Sequence, residues 1–205
     1  MQTEQKIYLA SKSPRRRELL RQIGVSFEML LLREKGPRGP DVTELVLPGE
    51  APRDYVARVT CEKAACGNRI MHIRKLPPRP ILAADTTVVI DGRILGKPAD
   101  TDEAVAMLRA LSGRSHEVLT SIAIQHADQL MQLTQSSEVV FAALTDAEIA
   151  AYCATGEPFD KAGGYGIQGA AASFIAHISG SYTGIMGLPL FETAQLLKQS
   201  GIRTL

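Results

Sequence analysis

Short apolar runs alternate along this chain with stretches whose apolar residues recur every three or four positions, and the two periods predict strands and helices in turn. Ile7-Tyr8-Leu9-Ala10 is an apolar run of strand length. Ser13-Pro14 opens a helix behind it, because Ser can cap the free N–H groups of a first turn and Pro needs no donor there. Leu19, Leu20 and Ile23 give that helix its core face, and Gly24 ends it. Residues 25–32 read as a second strand, 52–73 as a helix with Tyr55, Val56 and Val59 inward, and 81–90 as a buried strand that turns at Asp91-Gly92, a strong hairpin signal.

Asp100-Thr101-Asp102-Glu103 and Thr145-Asp146-Ala147-Glu148 both have the form of capping boxes. The first starts a helix lined by Ala104, Val105, Leu108 and Leu111 and closed by Gly113; the second starts one that stops at Gly156. Between them, residues 118–125 and 131–144 should pair as a hairpin around His126-Ala127-Asp128-Gln129. A Gly-rich segment (163–169), a β-like stretch (174–178) and a last helix (189–199) complete the chain, with no solenoid repeat. Hairpins among alternating helices and strands predict an α/β fold with a mixed central sheet flanked by helices, around a central cleft. Residues 33–53, rich in Pro, Gly and acids, form a long loop, and loops of that length are functional or disordered.

Composition narrows the function classes. At 205 residues the chain is one domain, residues 1–205, or two close lobes. With 23 Lys and Arg against 22 Asp and Glu the net charge is +1, so no global field favours nucleic acid or an anionic membrane, and any anion site must be local. Cys61, Cys66 and Cys153 lack C-x-x-C spacing, which argues against a disulfide framework or structural zinc. With neither the apolar region of a signal peptide after Met1 nor a run of membrane-helix length, a cytoplasmic protein is expected.

Ser11-Lys12-Ser13-Pro14-Arg15-Arg16-Arg17 lies where a strand ends and a helix begins, so free N–H groups and the helix dipole favour an anion there, phosphate above all. The alternative is that Ser13 only caps and the arginines coat a solvated face, against the dipole. In Ala84-Asp85-Thr86-Thr87 a carboxylate interrupts an apolar strand, and Asp85 could bind a divalent cation, act as general base on water, or merely accept backbone hydrogen bonds at a strand end. Glu44 and Asp41 in the loop, Lys63 on the next helix and Lys97 in Gly96-Lys97-Pro98 gain weight only together, as carboxylates for a hard cation and lysines for a triphosphate. Gly164-Tyr165-Gly166-Ile167-Gln168-Gly169 matches G-x-G-x-x-G but lacks the βαβ setting of a dinucleotide site. It reads instead as a turn that lets backbone approach a ligand, with the Gln168 amide free to read a base edge, or as a plain loop. Gly96-Lys97 is no Walker loop, no nucleophile elbow occurs, and His72, His116, His126 and His177 read as surface or satisfied histidines.

Taken together, Leu9-Ala10-Ser11-Lys12-Ser13-Pro14-Arg15-Arg16, Glu62-Lys63-Ala64, Ala84-Asp85-Thr86, Gly96-Lys97-Pro98, the run from Lys161 to Gly169 and Gly187-Leu188-Pro189 resemble the Maf family of nucleoside triphosphate pyrophosphatases over nearly the whole chain. The resemblance implies metal-dependent hydrolysis of a nucleoside triphosphate to the monophosphate and diphosphate, with a divalent cation (Mg, Mn or Co), on a two-lobed fold like that of inosine triphosphatases, in a homodimer. By motif match Asp85 corresponds to the proton acceptor, and Arg15, Thr86 and Gln168 to substrate-specificity positions. Ser11, Glu44, Lys63 and Lys97 match polar residues of the family's active site, with Asp85 and Glu44 as metal ligands. Arg15, the Asp-Thr pair and the Gly-Tyr-Gly-Ile-Gln-Gly run resemble the branch acting on dTTP and UTP; the alternatives are a 7-methyl-GTP pyrophosphatase and a nucleotide-binding regulator of cell division or septum formation.

Overall fold

In the computed structural model, which describes residues 5–34 and 39–205, the leading apolar run becomes β1 (Lys6–Leu9) and Pro14–Gln22 becomes helix α1. The start of the chain, read as lacking a leader, and Gly36-Pro37-Arg38 of the long loop lie outside the described residues. Ser13 caps α1 as expected, its side chain accepting from the Arg16 amide, with Pro14 in the first turn. After β2 (Ser26–Met29) the long loop leads to α2 (Pro52–Ile73), then to the hairpin of β3 (Ile81–Ile90) and β4 (Arg93–Leu95). Helix α3 (Thr101–Leu111), the long hairpin of β5 (Ser115–His126) and β6 (Gln129–Phe141), α4 (Asp146–Ala154), β7 (Ile175–Ser179), the short α5 (Tyr182–Ile185) and α6 (Leu190–Gln199) follow.

Three local expectations change. The second strand is only four residues long, because the chain past Met29 leaves the sheet for the loop. The box at residues 100–103 is half made: Asp100 accepts from the Glu103 amide, but the Glu103 carboxylate reaches Ala99 rather than the cap residue. The box at 145–148 is complete. The β5–β6 turn is tighter than expected, since His126 pairs with Gln129 and Ala127 takes a left-handed φ of 50°, a conformation its side chain does not advertise.

Every strand among the described residues belongs to one seven-stranded mixed sheet, ordered β2-β1-β3-β5-β6-β7 with β4 on β3. β1 runs parallel to β2 and β3, and the remaining pairs are antiparallel. Alternation along β3 organises the core. Ile81, Ala83 and Val89 pack in clusters with α2, whereas Leu82 and Ala84 join α1 and α6, and Val88 and Ile90 join α3 and α4. One long helix thus covers the odd-numbered face of β3, and two helix pairs share the even-numbered face with Thr86 between them. No helix is long and apolar enough to cross a membrane.

Candidate active site

The site follows from an interruption in sheet pairing. β1 pairs with β3 at Ile81 and Leu82, and β4 pairs with the same edge from Val88, so among the described residues no strand covers that edge between them. Asp85 and Thr86 sit in this gap, directly beyond the end of β1 and beside the start of α1. A cavity of about 1110 Å³ opens there, and Ser11, Arg15, Glu44, Lys63, Asp85, Thr86, Lys97 and Gln168 all line it. Seven cationic and five anionic side chains face it among the described residues, so the local excess of positive charge exceeds the +1 of the whole chain.

Asp85 points to the α2 side, where Lys63 Nζ lies 2.7 Å from Asp85 Oδ1 and 2.7 Å from Glu44 Oε1. Burial alone would push the Lys63 ammonium down, but Asp85 and Glu44 outweigh it and hold it above the ordinary lysine value. For Glu44, burial would raise the carboxyl; Lys63, then Lys97 and Arg16, reverse this and hold it below the usual range. Helix α2 also explains how a loop residue reaches the site. The Tyr55 hydroxyl donates to the Glu44 carbonyl at 3.0 Å, and Arg58 grips both the Leu45 carbonyl and the Glu50 carboxylate. Asp41, grouped with Glu44 in the sequence, is elsewhere: it accepts from Arg33 and closes the base of the loop.

At the start of α1 the three arginines diverge. Arg16 turns inward and donates from Nε to the Gly187 carbonyl (2.7 Å), from Nη1 to Ser11 Oγ (3.1 Å) and from Nη2 to Thr86 Oγ1 (3.2 Å). Burial pushes its guanidinium pKa down, and the charges of Asp85 and Glu44 oppose that. Glycine is favoured at 187 by its φ of +108°, which an L side chain adopts only with strain, rather than by lack of space. Arg15 reaches Asp160 only at 3.8 Å and stays partly exposed, so little holds it against a better anion. Ser11 Oγ accepts from the Ser13 amide as well as from Arg16, which leaves its O–H as a donor for a ligand. Lys97 is exposed, with no ion pair among the described residues.

The Gly-rich segment forms a further side of the cleft. Tyr165 is buried with its hydroxyl 2.7 Å from His116 Nε2, and both rings pack on Phe141. Gly163 takes φ +70° against Val88, whose side chain an added Cβ would meet at 2.8 Å. Gln168 is exposed and lines the cavity. His116 is only half satisfied, its Nε2 bonded to Tyr165 and its buried Nδ1 without a hydrogen-bond partner, whereas His72, His126 and His177 are exposed. Burial raises the thiols of Cys61, Cys66 and Cys153, so none is primed as a nucleophile.

The arrangement combines a helix start with inward cations, suited to a chain of phosphates, and a carboxylate pair held around one ammonium, suited to proton transfer or a hard cation. Sequence reasoning named eight cavity residues and missed the inward turn of Arg16, the buried Thr120 behind Thr86, and the His116–Tyr165 contact.

Comparison with known proteins matches residues 6–200 to the family described as Maf-like protein. The chain is similar to the dTTP/UTP pyrophosphatase of Ralstonia nicotianae, with 59% identity over 197 residues that cover 96% of this chain and 94% of the relative. It is 55% identical to the dTTP/UTP pyrophosphatase of Bordetella avium, covering 96% of each chain. Identity to the dTTP/UTP pyrophosphatase of Dechloromonas aromatica is 51%, over 98% of this chain and 100% of the relative. Among solved structures, the Ham1 protein of Staphylococcus aureus aligns over 67% of this chain and 72% of its own at 12% identity and a TM-score of 0.42, a likeness too slight to argue from.

Proposed function

This chain belongs to the Maf-like protein family, and we propose from that premise that it hydrolyses dTTP and UTP to the monophosphate and diphosphate, clearing these nucleotides from the pool. The observation that carries the reading is the ionic cluster of Asp85, Lys63 and Glu44 facing the cationic start of α1 across one cavity.

The triphosphate lies along the start of α1, where the Ser11 hydroxyl, Arg15, Arg16 and Lys97 meet its negative oxygens. Asp85 takes the proton of the water that attacks the α-phosphorus, and diphosphate leaves. Lys63 occupies Asp85 Oδ1, so the water's proton goes to Oδ2, to which no described residue donates. Lys63 also holds Glu44 against the site, and its own charge is secured by the two carboxylates. Asp85 and Glu44, two carboxylates gathered around one positive charge, fit a divalent cation of the Mg, Mn or Co kind, which when bound supplies polarisation of phosphate oxygens. Positioning and electrostatics provide most of the acceleration, as in phosphoryl transfer generally. Gln168 reads the base edge. The working form is a homodimer in the cytoplasm, where the nucleotide pool lies; a solution mass near twice 22.1 kDa would support the dimer, and one near 22.1 kDa would refute it.

Diphosphate release by the purified protein from dTTP, UTP, CTP, GTP and 7-methyl-GTP, with Mg²⁺, Mn²⁺ and Co²⁺ in turn, tests the proposal. The expected result is fastest turnover of dTTP and UTP, and a changed ranking in Gln168→Glu. No release from either pyrimidine nucleotide with any of the three metals would overturn it.

A further inference from the structure

Thr86 on β3 and Thr120 on β5 are register partners, and their hydroxyls lie 3.0 Å apart. Taken alone, either could donate. The neighbours settle the direction. Thr120 Oγ1 is 2.7 Å from the Gly184 carbonyl, which can only accept, so the single proton of Thr120 is committed there. Thr86 must then give its own proton to Thr120. Arg16 Nη2, 3.2 Å from Thr86 Oγ1, can only donate. One chain of hydrogen bonds therefore runs from the cation in the cleft through two hydroxyls to the backbone of α5: Arg16 to Thr86, Thr86 to Thr120, Thr120 to Gly184.

We propose that Thr86 and Thr120 are positioning residues that hold the Arg16 guanidinium in place for the phosphates. The inference deepens the triphosphate reading of the cleft and rests on it. Three observations support it. Thr120 is fully buried, so it cannot touch a substrate and acts only through the groups it bonds, Thr86 and the Gly184 carbonyl. The Thr86 hydroxyl has spent its proton on Thr120 and turns a lone pair to Arg16, so its direction is fixed from both sides. The guanidinium uses three of its five N–H groups on Gly187, Ser11 and Thr86, and the two that remain, one on each terminal nitrogen, are left for phosphate oxygens in the cavity that Arg16 lines. β-Branched threonines on paired strands have restricted χ1, which suits them to fix a partner rather than to follow a ligand. A cation at one end also polarises the whole chain and strengthens each link.

The experiment measures kcat and KM for dTTP, UTP and CTP, with melting curves, on wild type, Thr120→Val, Thr120→Ser, Thr86→Val, Thr86→Ser, Arg16→Lys and the double variant Arg16→Lys/Thr86→Val. Thr120→Val should lower kcat about 10-fold by the same factor on every nucleotide, with KM little changed, and Thr86→Val should lower kcat by at least as much, the scale of losing one hydrogen bond to a charged group or its support. Serine at either position should restore kcat to within about threefold, because it keeps the hydroxyl and the direction of the chain. In the Arg16→Lys background Thr86→Val should cost little more, since the group it positions is gone. A folded Thr120→Val with wild-type kcat, or a Thr86→Val whose loss is undiminished in the Arg16→Lys background, would overturn the proposal. If Thr120→Val fails to fold, Thr86→Val and the double variant still decide it. An inactive wild type would instead sink the pyrophosphatase reading and this inference with it, a result distinct from active enzymes whose valine variants are unimpaired.

Discussion

The α2 side of the cleft is held by charge, with Lys63 Nζ 2.7 Å from a carboxylate on β3 and from another in the loop, whereas the Gly-rich side is held by rings. There Phe141 packs 5.1 Å from His116 and 4.8 Å from Tyr165, centroid to centroid, and the single polar link between His116 and Tyr165 is neutral at pH 7. Charges in a half-open cleft can exchange a proton or a counter-ion and remain stable, since water screens whatever the protein does not pair. Rings packed edge to face hold a segment rigid but offer no group to react. The fold therefore places the carboxylates gathered around Lys63 on one side and the ring packing on the other, and substitutions in the two should fail differently.

The sharpest break is Asp85→Asn. With the charge gone but the shape kept, diphosphate release should fall about 10³-fold, the range of a lost general base, while nucleotide binding measured by calorimetry persists. Near-normal turnover would move the chemistry off the charged side. Lys63→Met should come next. It leaves Asp85 and Glu44 facing each other without a cation, so turnover should drop about 100-fold, from the same range. Folded stability should fall by about 1–2 kcal/mol, less than for a fully buried pair because the Glu44 side chain is 50% exposed. The sign with pH follows from Glu44, whose folded carboxyl lies below its ordinary value: its stabilisation is present above the unfolded pKa and is lost as pH falls through the folded one. Urea denaturation of Lys63→Met across acid pH should show that loss reduced.

The ring side should respond in stability. Burial pushes His116 down to about 4, so between that value and an unfolded pKa near 6.5 the unfolded chain binds the extra proton. Stability from this group is complete above about pH 6.5 and declines as pH falls toward 4, by roughly 3 kcal/mol at most. His116→Phe should remove that acid slope while costing Tyr165 its partner, and at pH 7.5 it should change kcat little. An unchanged slope in thermal melts from pH 4 to 7 would show that His116 is not the group that titrates.

Much of this division was legible in the sequence, and the limit was range. Helix starts were readable because caps are local: Ser13 bonds three residues ahead, and Thr145 with Glu148 closes its box within one turn. Asp85 was readable because a carboxylate in an apolar strand demands an explanation. Glu44, an anonymous loop acid by composition, needed Tyr55 and Arg58 on α2 to bring it in. Which arginine of Arg15-Arg16-Arg17 turns inward depends on Gly187, 171 residues away, and nothing within one helical turn chooses among them. Thr120 was hidden in an apolar strand, where a threonine looks like any other β-branched residue, and its register with Thr86 exists only once β3 and β5 pair. The His116–Tyr165 contact spans 49 residues and had no local signal at all.

The mildest perturbation tests whether the ring side is passive support or part of substrate handling. The Tyr152 hydroxyl donates to Glu157 Oε1 at 3.0 Å, and the other oxygen of that carboxylate accepts from the Ala170 amide at 3.1 Å, just past the Gly-rich run. The carboxylate sits so close to Gly169 that an added Cβ would lie 2.3 Å from its carbon, so Glu157 fills the space that side chains vacate along this segment. Tyr152→Phe removes one of the two bonds and keeps the ring, which still packs 5.4 Å from Phe174. The loss should be about 1 kcal/mol, seen as a fall of roughly 2–4 °C in melting temperature. Because Ala170 still holds Glu157, KM for dTTP should rise by no more than about threefold, on the scale of a single strained contact, and kcat should stay at wild type. Should kcat fall as far as in Lys63→Met, the Gly-rich segment would be taking part in the reaction, and the separation of chemistry from shape would fail.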